Sequence, residues 1–556
     1  MRFRRTRLVA PVLAIALIAA ACGGDDEAAE PEAPTTEETT SEDDAAADDE
    51  AATEAPADAT LVVDRNFDLV TNDPHRQFEA TGTILHHAVY DTLLAFPTPD
   101  ITEPQPNVAE SYTVNDDATE FTFTIREGIL FQDGTPLTAA DVEYSINRLV
   151  NLKARPAFIA AGFSAEATGE YEVVIRTENS NPAVPFILTN SSAAIVNSEL
   201  VTANGGSAAA DADTADTAQE WFDTTGAAGS GSGPYYVESF NVETEVVLVR
   251  NENYWGERPD WPRIVLRNAL PSVQALNVQS GDSQLALDIP GDNLGTIPDT
   301  LEIVSEPATV TFFIFSNQNP EISEFTSNPD FVEAVRYGID YDSIVELAGA
   351  GVRQSCGLLP NMLLGALPTD ECVERDLDRA IAAYEASGVG DTEIKLGFPS
   401  DFGANGLTFT PLAERVQANL AEVGINVVLD GKPIATSLQE YRDGTQEMGL
   451  WLWNAGYPEP SYYLAFSPGQ TVGLRAGWAA EDDPTGIADA GTAASQIVDN
   501  AARGAAYTEW ERQLQSDGPY TPLIQPSTSL VAQPIVTDVE FHPTYIVDLG
   551  KLGYGG

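Results

Sequence analysis

The chain has 556 residues, enough for roughly three or four folding units of about 100–200 residues each. Its hydrophobic fraction of 43%, with 22 Phe, 18 Tyr and 7 Trp, supports a large core. This composition excludes a mainly disordered chain, a coiled coil and a collagen-like repeat. Asp and Glu number 86 against 27 Lys and Arg, which gives a formal net charge of −59. Because nucleic-acid binding depends on clustered Lys and Arg, this charge excludes nucleic acid as a main partner.

The N-terminus has the pattern of an export signal. Four arginines precede an apolar run over residues 8–21, which is too short to cross a hydrocarbon core of ~30 Å as a helix. Three alanines then precede Cys22. This segment resembles the lipobox of bacterial lipoproteins, which implies a signal peptide over residues 1–21 and a lipidated Cys22 that anchors the protein to the cell membrane. An ordinary secretory signal with an incidental cysteine is the alternative, and both readings predict an extracytoplasmic protein.

Residues 22–58 are predicted to form an acidic, disordered tether. From residue 23 onward this segment has 15 acids and no base, and it has too little apolar surface to offset the loss of backbone entropy on folding. The folded body that follows keeps a net charge of −48. A solubilising surface for salty surroundings or a preference for cationic ligands would each explain this acidity, and we favour the first.

Two cysteines remain after Cys22. Cys356 and Cys372 are 16 residues apart, and in an exported protein this pair predicts a disulfide that closes a local loop. Two buried free thiols are the alternative. The cysteines are too few for a typical structural zinc site, and we predict no metal and no cofactor.

Strand and helix patterns alternate along the body, which predicts mixed α/β layers. Strands are predicted where polar and apolar residues alternate, and helices where a capping box or an apolar stripe occurs. In chain order, the predicted elements are a strand at 119–125, a helix opened by Thr138 and Asp141, a strand at 171–175, a surface loop at 203–233, a helix at 412–423 ended by Gly424, and a buried-type strand at 425–429.

Several segments together resemble one family. Residues 107–112, 121–128 and 131–145 are similar to the signature of the family 5 solute-binding proteins of ABC importers, the peptide/nickel-type extracytoplasmic receptors. Further similar segments follow in the expected order, at 231–235, 248–251, 254–255, 275–282, 331–342, 424–425 and 457–460.

The resemblance implies a type II (cluster C) periplasmic-binding-protein fold of class α/β. Two lobes enclose a cleft, and an extra α/β subdomain is inserted in lobe I. It further implies a non-catalytic, monomeric receptor that closes by hinge motion on a peptide or peptide-like small solute and delivers it to an ABC permease. The implied borders are lobe I at 59–95, 222–310 and 523–556, the inserted subdomain at 96–221, and lobe II at 311–522.

The resemblance also places candidate ligand contacts in one strand and the turn after it. These residues are Trp451, Trp453, Asn454, Gly456, Tyr457 and Glu459. Strand alternation puts both tryptophans on one face and Leu452 on the other. Related peptide receptors commonly have an Asp at the place of Gly456, where it pairs with the ligand α-amine. The glycine therefore argues against a ligand with a free amine, unless Glu459 or Glu447 replaces the missing carboxylate.

Each of the other candidate ligand-binding residues has two interpretations. Phe315 and Asn317 lie near the implied hinge, where the Asn amide would bind a ligand or tie the crossover. Arg475 would pair with a ligand carboxylate, although a surface ion pair is the reading that we favour. The adjacent pair His86 and His87 suggests metal or haem ligation only weakly, because neighbouring side chains point apart.

Two functions from other classes remain as alternatives. A secreted hydrolase is the first, but the chain has no Gly-x-Ser-x-Gly, His-Glu-x-x-His or P-loop sequence. A pair of carboxylates of the glycosidase type is not excluded by motif. The second is a surface lipoprotein that uses the same scaffold to bind another protein without transport.

Overall fold

A computed structural model describes residues 55–483 and 485–556, without the side chain of Asp292. The predicted signal peptide, Cys22 and most of the predicted tether lie outside the described residues. Among the helices in the described ranges, none has both the length and the apolar character needed to cross a bilayer.

The strands of this part are numbered in chain order. They are β1 Leu61–Arg65, β2 Leu94–Ala95, β3 Gln105–Pro106, β4 Ala109–Val114, β5 Glu120–Ile125, β6 Phe163–Gly169, β7 Glu172–Thr177, β8 Tyr235–Asn241, β9 Glu245–Arg250, β10 Arg263–Asn268, β11 Leu285–Ala286, β12 Glu302–Pro307, β13 Val310–Ser316, β14 Arg353–Gln354, β15 Glu393–Pro399, β16 Gly403–Ala404, β17 Leu407–Thr408, β18 Asn426–Lys432, β19 Met448–Asn454, β20 Tyr520–Gln525, β21 Ser527–Ala532, β22 Val536–Thr537 and β23 Gly553–Tyr554.

The helices are numbered in the same way. They are α1 Ala80–Val89, α2 Ala139–Asn151, α3 Val184–Ile187, α4 Ser198–Ala203, α5 Ala212–Ala215, α6 Gln219–Thr225, α7 Pro271–Ser280, α8 Pro329–Gly338, α9 Tyr341–Ala348, α10 Leu377–Ser387, α11 Phe409–Val423, α12 Ile434–Arg442, α13 Thr471–Arg475, α14 Ile487–Ser495 and α15 Asn500–Asp517.

Three sheets organise the chain. The seven-stranded sheet has the order β12-β21-β11-β1-β10-β9-β8, the six-stranded sheet β14-β20-β13-β19-β15-β18, and the four-stranded sheet β4-β5-β7-β6. We call the parts of the chain around these sheets lobe I, lobe II and the insert, respectively. Each part has its own buried hydrophobic core. The borders given above from the sequence remain predictions.

The chain crosses between lobe I and lobe II twice. It passes from β12 to β13 through Ala308 and Thr309, and from β20 to β21 through Pro526. The Ala308 N–H donates to the Pro526 carbonyl at 2.8 Å, so the two crossings lie side by side. Paired crossings of this kind are suited to act as a hinge, because a few residues can absorb the rotation of one lobe against the other.

The helices and strands that have a local sequence signal lie where they are predicted. The strand predicted at 119–125 is β5, and the helix predicted after Thr138 is α2, which begins with the predicted capping box. The Thr138 N–H donates to Asp141 Oδ2 at 2.9 Å. Helix α11 ends at Val423, and Gly424 follows with a φ of 101°, a left-handed conformation that glycine adopts without strain.

Two predictions were wrong in detail. Strand β18 is not of the fully buried type, because it lies at the edge of its sheet and pairs only with β15. An apolar run of this length does not distinguish an edge strand from a central one. Residues 203–233 are not one surface loop, since they contain α5 and α6. The Phe222 side chain anchors α6 in the core of lobe I.

Candidate ligand-binding cleft

Lobe II meets the insert across a cleft. The Asn190 side chain of the insert donates from Nδ2 to the Gly456 carbonyl of lobe II at 2.9 Å. Phe96 and Phe186, which precede and follow the four-stranded sheet in the chain, belong to the same buried aromatic cluster as Phe313 of β13. The two sides of the cleft are therefore in direct contact, as expected for a closed arrangement.

A cavity of about 550 Å³ lies between lobe I and lobe II. This volume lies in the usual range for small-molecule sites. The Asn361 Oδ1 is buried and has no hydrogen-bond partner within the described residues, while the Asn361 N–H donates to Gln525 Oε1 at 3.2 Å. The lining residues are Pro99, Val304, Glu306, Pro307, Arg353, Asn361, Met362, Val539, Glu540, Phe541 and Pro543.

The two tryptophans of β19 face the same side of the six-stranded sheet, as predicted. Trp451 and Trp453 join the aromatic cluster, and Leu452 packs into the core on the opposite face. Trp451 is buried, stacks on Tyr441 with a centroid distance of 4.4 Å, and donates from Nε1 to Gln446 Oε1 at 2.8 Å. Its polar group is thus satisfied within the protein.

Trp453 begins a row of aromatic rings that crosses the cleft. Its ring lies 5.6 Å from Tyr462, and Tyr462 lies 5.3 Å from Tyr457 and 6.4 Å from Phe158 of the insert. Phe158 in turn lies 5.1 Å from Phe78. We call these five residues the aromatic wall. The Trp453 Nε1–H is buried and has no acceptor among the described residues, although buried indole N–H groups usually find one.

Gly456 occupies a place with no room for a side chain. A Cβ atom there would lie 2.9 Å from a ring carbon of Tyr462 and 3.3 Å from one of Phe158. The aromatic wall thus fills the space that a carboxylate would need. Asn454, which precedes this turn, is exposed, and its Oδ1 accepts from Thr309 Oγ1 at 3.4 Å beside the first crossing.

Both carboxylate oxygens of Glu459 are bonded within the protein. Its Oε1 pairs with the buried Arg503 at 3.1 Å, and its Oε2 accepts from the Ser461 N–H at 2.7 Å. Burial raises the pKa of the Glu459 carboxyl, although Arg503 acts in the opposite direction. Both oxygens have partners, so Glu459 offers no free carboxylate to replace the one missing at Gly456.

Phe315 and Asn317 are fully buried, but they lie at the end of β13 away from the crossing at Ala308 and Thr309, not near the hinge as the resemblance implies. The Phe315 ring packs 5.6 Å from Tyr441. Asn317 donates from Nδ2 to the carbonyls of Gly444 and Gln446 at 2.9 and 2.8 Å. These contacts tie the segment before β19 to the end of β13, away from both crossings.

Arg475 does not form the surface ion pair that the sequence favours. Its guanidinium lies 5.0 Å from the centroid of Tyr441, and it pairs with no carboxylate in the described ranges. Burial raises the pKa of the Tyr441 hydroxyl to about 12, and the charge of Arg475 opposes this rise. The same charge acts on the hydroxyl of Tyr462 in the aromatic wall.

Sequence reasoning missed several residues of the cleft. Asn190, Phe158 and Asn361 lie on the insert or in a loop and belong to no motif. Tyr462 follows the recognised turn at 457–460 closely, so its nearness in sequence was the one available signal. The histidine pair behaves as expected for neighbours, because His86 is buried while His87 stacks on Tyr545.

The disulfide predicted from the sequence is present between Cys356 and Cys372. It lies in the same segment of lobe II as Asn361 of the cavity. It therefore restrains the chain on one side of the cleft.

Comparisons with known proteins agree with this architecture. The family model for bacterial extracellular solute-binding proteins, family 5 Middle, matches residues 103–473. The probable D,D-dipeptide-binding periplasmic protein DdpA of Escherichia coli (strain K12) is 25% identical over 418 residues, which cover 73% of this chain and 77% of that protein. Di/tripeptide-binding protein 2 of Pseudomonas aeruginosa (strain UCBPP-PA14) is 25% identical over 459 residues, covering 79% and 84%.

Solved structures share the fold. The ABC transporter substrate binding protein CtaP from Listeria monocytogenes superposes with a TM-score of 0.76 at 16% identity, covering 90% of this chain and 99% of that one. The predicted type II periplasmic-binding-protein fold is confirmed. The family match covers well over half of the chain and includes both the insert sheet and β19. This protein therefore belongs to the bacterial extracellular solute-binding proteins of family 5.

Proposed function

We propose that this protein is the ligand-binding component of an ABC importer, and that it captures a peptide-like solute between its lobes and delivers it to a membrane permease. The observation that carries the proposal is the family match over residues 103–473. Two relatives whose names give di- or tripeptide ligands support the peptide-like class. The cavity between the lobes and the paired crossings support the proposal of a site and a hinge, and the lining of this cavity contains none of the contacts predicted from the sequence.

The anchor is part of the same proposal. A lipidated Cys22 and the acidic segment at 22–58 would hold a monomeric body outside the cell membrane, within reach of the permease. Cys22→Ala is expected to release the protein from the membrane and to abolish labelling with radioactive palmitate. Unchanged membrane attachment of Cys22→Ala would contradict the anchor.

The ligand is expected to lack a free α-amine. Position 456 has no carboxylate and no room for one, and Glu459 is neutralised by Arg503. The other candidate, Glu447, accepts a hydrogen bond from the Lys395 N–H of β15 at 2.8 Å. A buried ammonium group without a carboxylate partner is costly. Di- and tripeptides with a free amine should therefore bind weakly, and their N-acetylated counterparts should bind better.

The test starts from the full chain, solubilised in detergent and purified without unfolding. Native mass spectrometry is expected to show a retained small solute, and calorimetric titration compares free-amine and N-acetylated di- and tripeptides. Micromolar binding of free-amine peptides that is lost on N-acetylation would contradict the amine argument. Turnover of a peptide or glycoside that a single carboxylate substitution abolishes would instead establish a hydrolase.

A further inference from the structure

Glu511 is an ionisable group that lies in the core of lobe II without a counter-charge. It belongs to α15, its side chain is 1% exposed, and it forms no ion pair within the part of the chain that the structure describes. The buried Glu459, by contrast, has Arg503 as a partner at 3.1 Å. Because a buried carboxylate without a cation is costly, the place around Glu511 suits the neutral, protonated side chain.

The Glu511 carboxyl group holds a segment of lobe II, residues 356–362, which we call the strap. The Leu359 N–H lies 3.3 Å from both carboxyl oxygens. Gly357 packs so closely that a Cβ atom at this position would collide with Glu511 Oε2. The strap therefore crosses the carboxyl group at a residue without a side chain, and it leaves no space for water between them.

Two further hydrogen bonds fix the first half of the strap. Gln515, one turn further along α15, donates from Nε2 to the Cys356 carbonyl at 2.8 Å. The Thr311 hydroxyl of β13 donates to the Leu358 carbonyl at 3.0 Å. Cys356 is also bonded to Cys372. An amide, a hydroxyl and a disulfide do not titrate near neutral pH, so among these contacts only the one with Glu511 responds to pH.

The second half of the strap forms a wall of the cavity between the lobes, because Asn361 and Met362 line this cavity. The Asn361 N–H donates to Gln525 Oε1 at 3.2 Å, and Gln525 Nε2 donates to Met362 Sδ at 3.6 Å. Leu359, which Glu511 holds, is only two residues before Asn361. A displacement of the strap at Glu511 is therefore transmitted to the cavity wall.

The charge around the strap depends on Glu511. Burial raises the pKa of its carboxyl group to about 8, and the N–H groups of the strap act in the opposite direction. Tyr463 interacts electrostatically with Glu511, but burial raises the pKa of the Tyr463 hydroxyl well above its usual value of 10. Burial likewise raises the pKa of Tyr507, one turn earlier on α15. Both tyrosines thus stay neutral, and residues 356–362 include no charged side chain.

We propose that Glu511 is a positioning residue for ligand binding, because its neutral carboxyl group fixes the strap and the strap fixes the wall of the cavity. Release of the proton to solvent leaves a buried carboxylate that requires water. The close approach of Gly357 leaves no room for that water, so the strap moves away from α15 and the cavity wall moves with it. This inference rests on the proposed function and adds a regulation of the same site.

The first measurement is independent of any ligand. Amide hydrogen exchange of the strap is followed by mass spectrometry in the full chain at pH 7 and pH 9. The unaltered protein is compared with Glu511→Gln at each pH, which cancels the intrinsic pH dependence of exchange. The glutamine keeps the shape and the neutral state, so we expect equal exchange at pH 7 and faster exchange of the unaltered strap at pH 9. Equal exchange at pH 9 overturns the inference.

The second measurement is a calorimetric titration with N-acetylated and free-amine di- and tripeptides. With a pKa of about 8, roughly a tenth of the unaltered protein keeps the Glu511 proton at pH 9. Its affinity is therefore expected to be about tenfold weaker at pH 9 than at pH 7. Glu511→Gln is expected to keep its affinity within about twofold, because the neutral side chain is retained at both pH values.

Glu509→Gln is the matched control. Glu509 lies on the same helix, is exposed and pairs with Arg512 at the surface. This variant should lose affinity at pH 9 as the unaltered protein does. Circular dichroism at each pH establishes that the compared proteins are folded, so that loss of affinity is separated from unfolding.

The outcomes separate this inference from the proposed function. If a peptide binds and its affinity falls equally for the unaltered protein and Glu511→Gln, the positioning role is wrong and the receptor proposal stands. If no peptide binds at either pH, the peptide-like ligand class is wrong, and the exchange measurement decides whether Glu511 holds the strap. If Glu511→Gln does not fold, an affinity of the unaltered protein that is the same at pH 7 and pH 9 overturns the inference.

Discussion

Glu511 offers the sharpest test of how burial of a carboxyl group affects the pH dependence of this protein's stability. The side chain lies on α15, is almost completely buried, and has no cationic partner among residues 55–483 and 485–556. Its two oxygens each lie 3.3 Å from the Leu359 N–H, and the carboxyl group packs against Gly357. Burial raises the pKa of Glu511 from 4.5 to about 8. The folded protein therefore holds this proton at neutral pH, whereas the unfolded chain releases it.

The sign of the pH dependence follows from this difference. The folded state binds the extra proton between the unfolded pKa of 4.5 and the folded pKa of about 8. The stabilisation is thus complete below the unfolded pKa and is lost as the pH rises through the folded one. At about 1.4 kcal/mol per pKa unit, the full loss approaches 4 to 5 kcal/mol above pH 8.

Glu511→Gln keeps the shape of the side chain and removes the titration. Urea unfolding at pH 5, 7 and 9 should show a small difference from the unaltered protein at pH 5 and a clear relative gain in stability at pH 9. Glu509→Gln on the same helix is the control, because Glu509 is exposed and forms a surface pair with Arg512. It should leave the pH dependence unchanged. Parallel stability curves for Glu511→Gln and the unaltered protein would refute the reasoning.

Three further predictions follow from single contacts. Gly456→Ala should favour the open arrangement, because the added Cβ displaces the ring of Tyr462. Solution scattering should show a larger radius of gyration, and the unfolding free energy should change little. Arg148→Met should cost about 3 kcal/mol in urea unfolding, since it removes the fully buried cation between Asp73 and Asp216 and leaves them only the partly exposed Arg76. Removing the disulfide by Cys356→Ser with Cys372→Ser should cost about 3 kcal/mol, measured against the unaltered protein under oxidising conditions.

The fold was largely readable from the sequence because its elements are encoded locally. Period-two alternation specifies β5, and the capping box at Thr138 specifies the start of α2. Gly424 marks the end of α11 because a left-handed residue is needed there. The position of a strand within its sheet was not readable, since the apolar run of β18 suits a central strand and an edge strand alike.

The site was only partly readable, because its decisive contacts are distant in sequence. Alternation predicted the common face of Trp451 and Trp453, which is a property of one strand. The pairing of Glu459 with Arg503 spans 44 residues, and the bond from Asn190 to Gly456 spans 266. No local pattern signals such partners, so the sequence could not show that Glu459 is neutralised.

The contacts between the two sides determine how much a ligand must add to hold the cleft closed. Within the described residues, the insert meets lobe II through the hydrogen bond from Asn190 to Gly456 and through aromatic pairs such as Phe158 with Tyr462. A hydrogen bond contributes about 0.5–1.5 kcal/mol net, and an aromatic pair adds a similar amount.

Burial adds a larger contribution. Phe96 and Phe186 lie in the aromatic cluster that they share with lobe II, and burial of each side chain contributes about 1.5–3 kcal/mol. Lobe I adds the bond from Asn405 to Thr528 at 3.0 Å. The cost of ordering the two sides opposes all of these contacts. A ligand that touches both sides shifts the balance further towards the closed arrangement by its differential affinity for that arrangement.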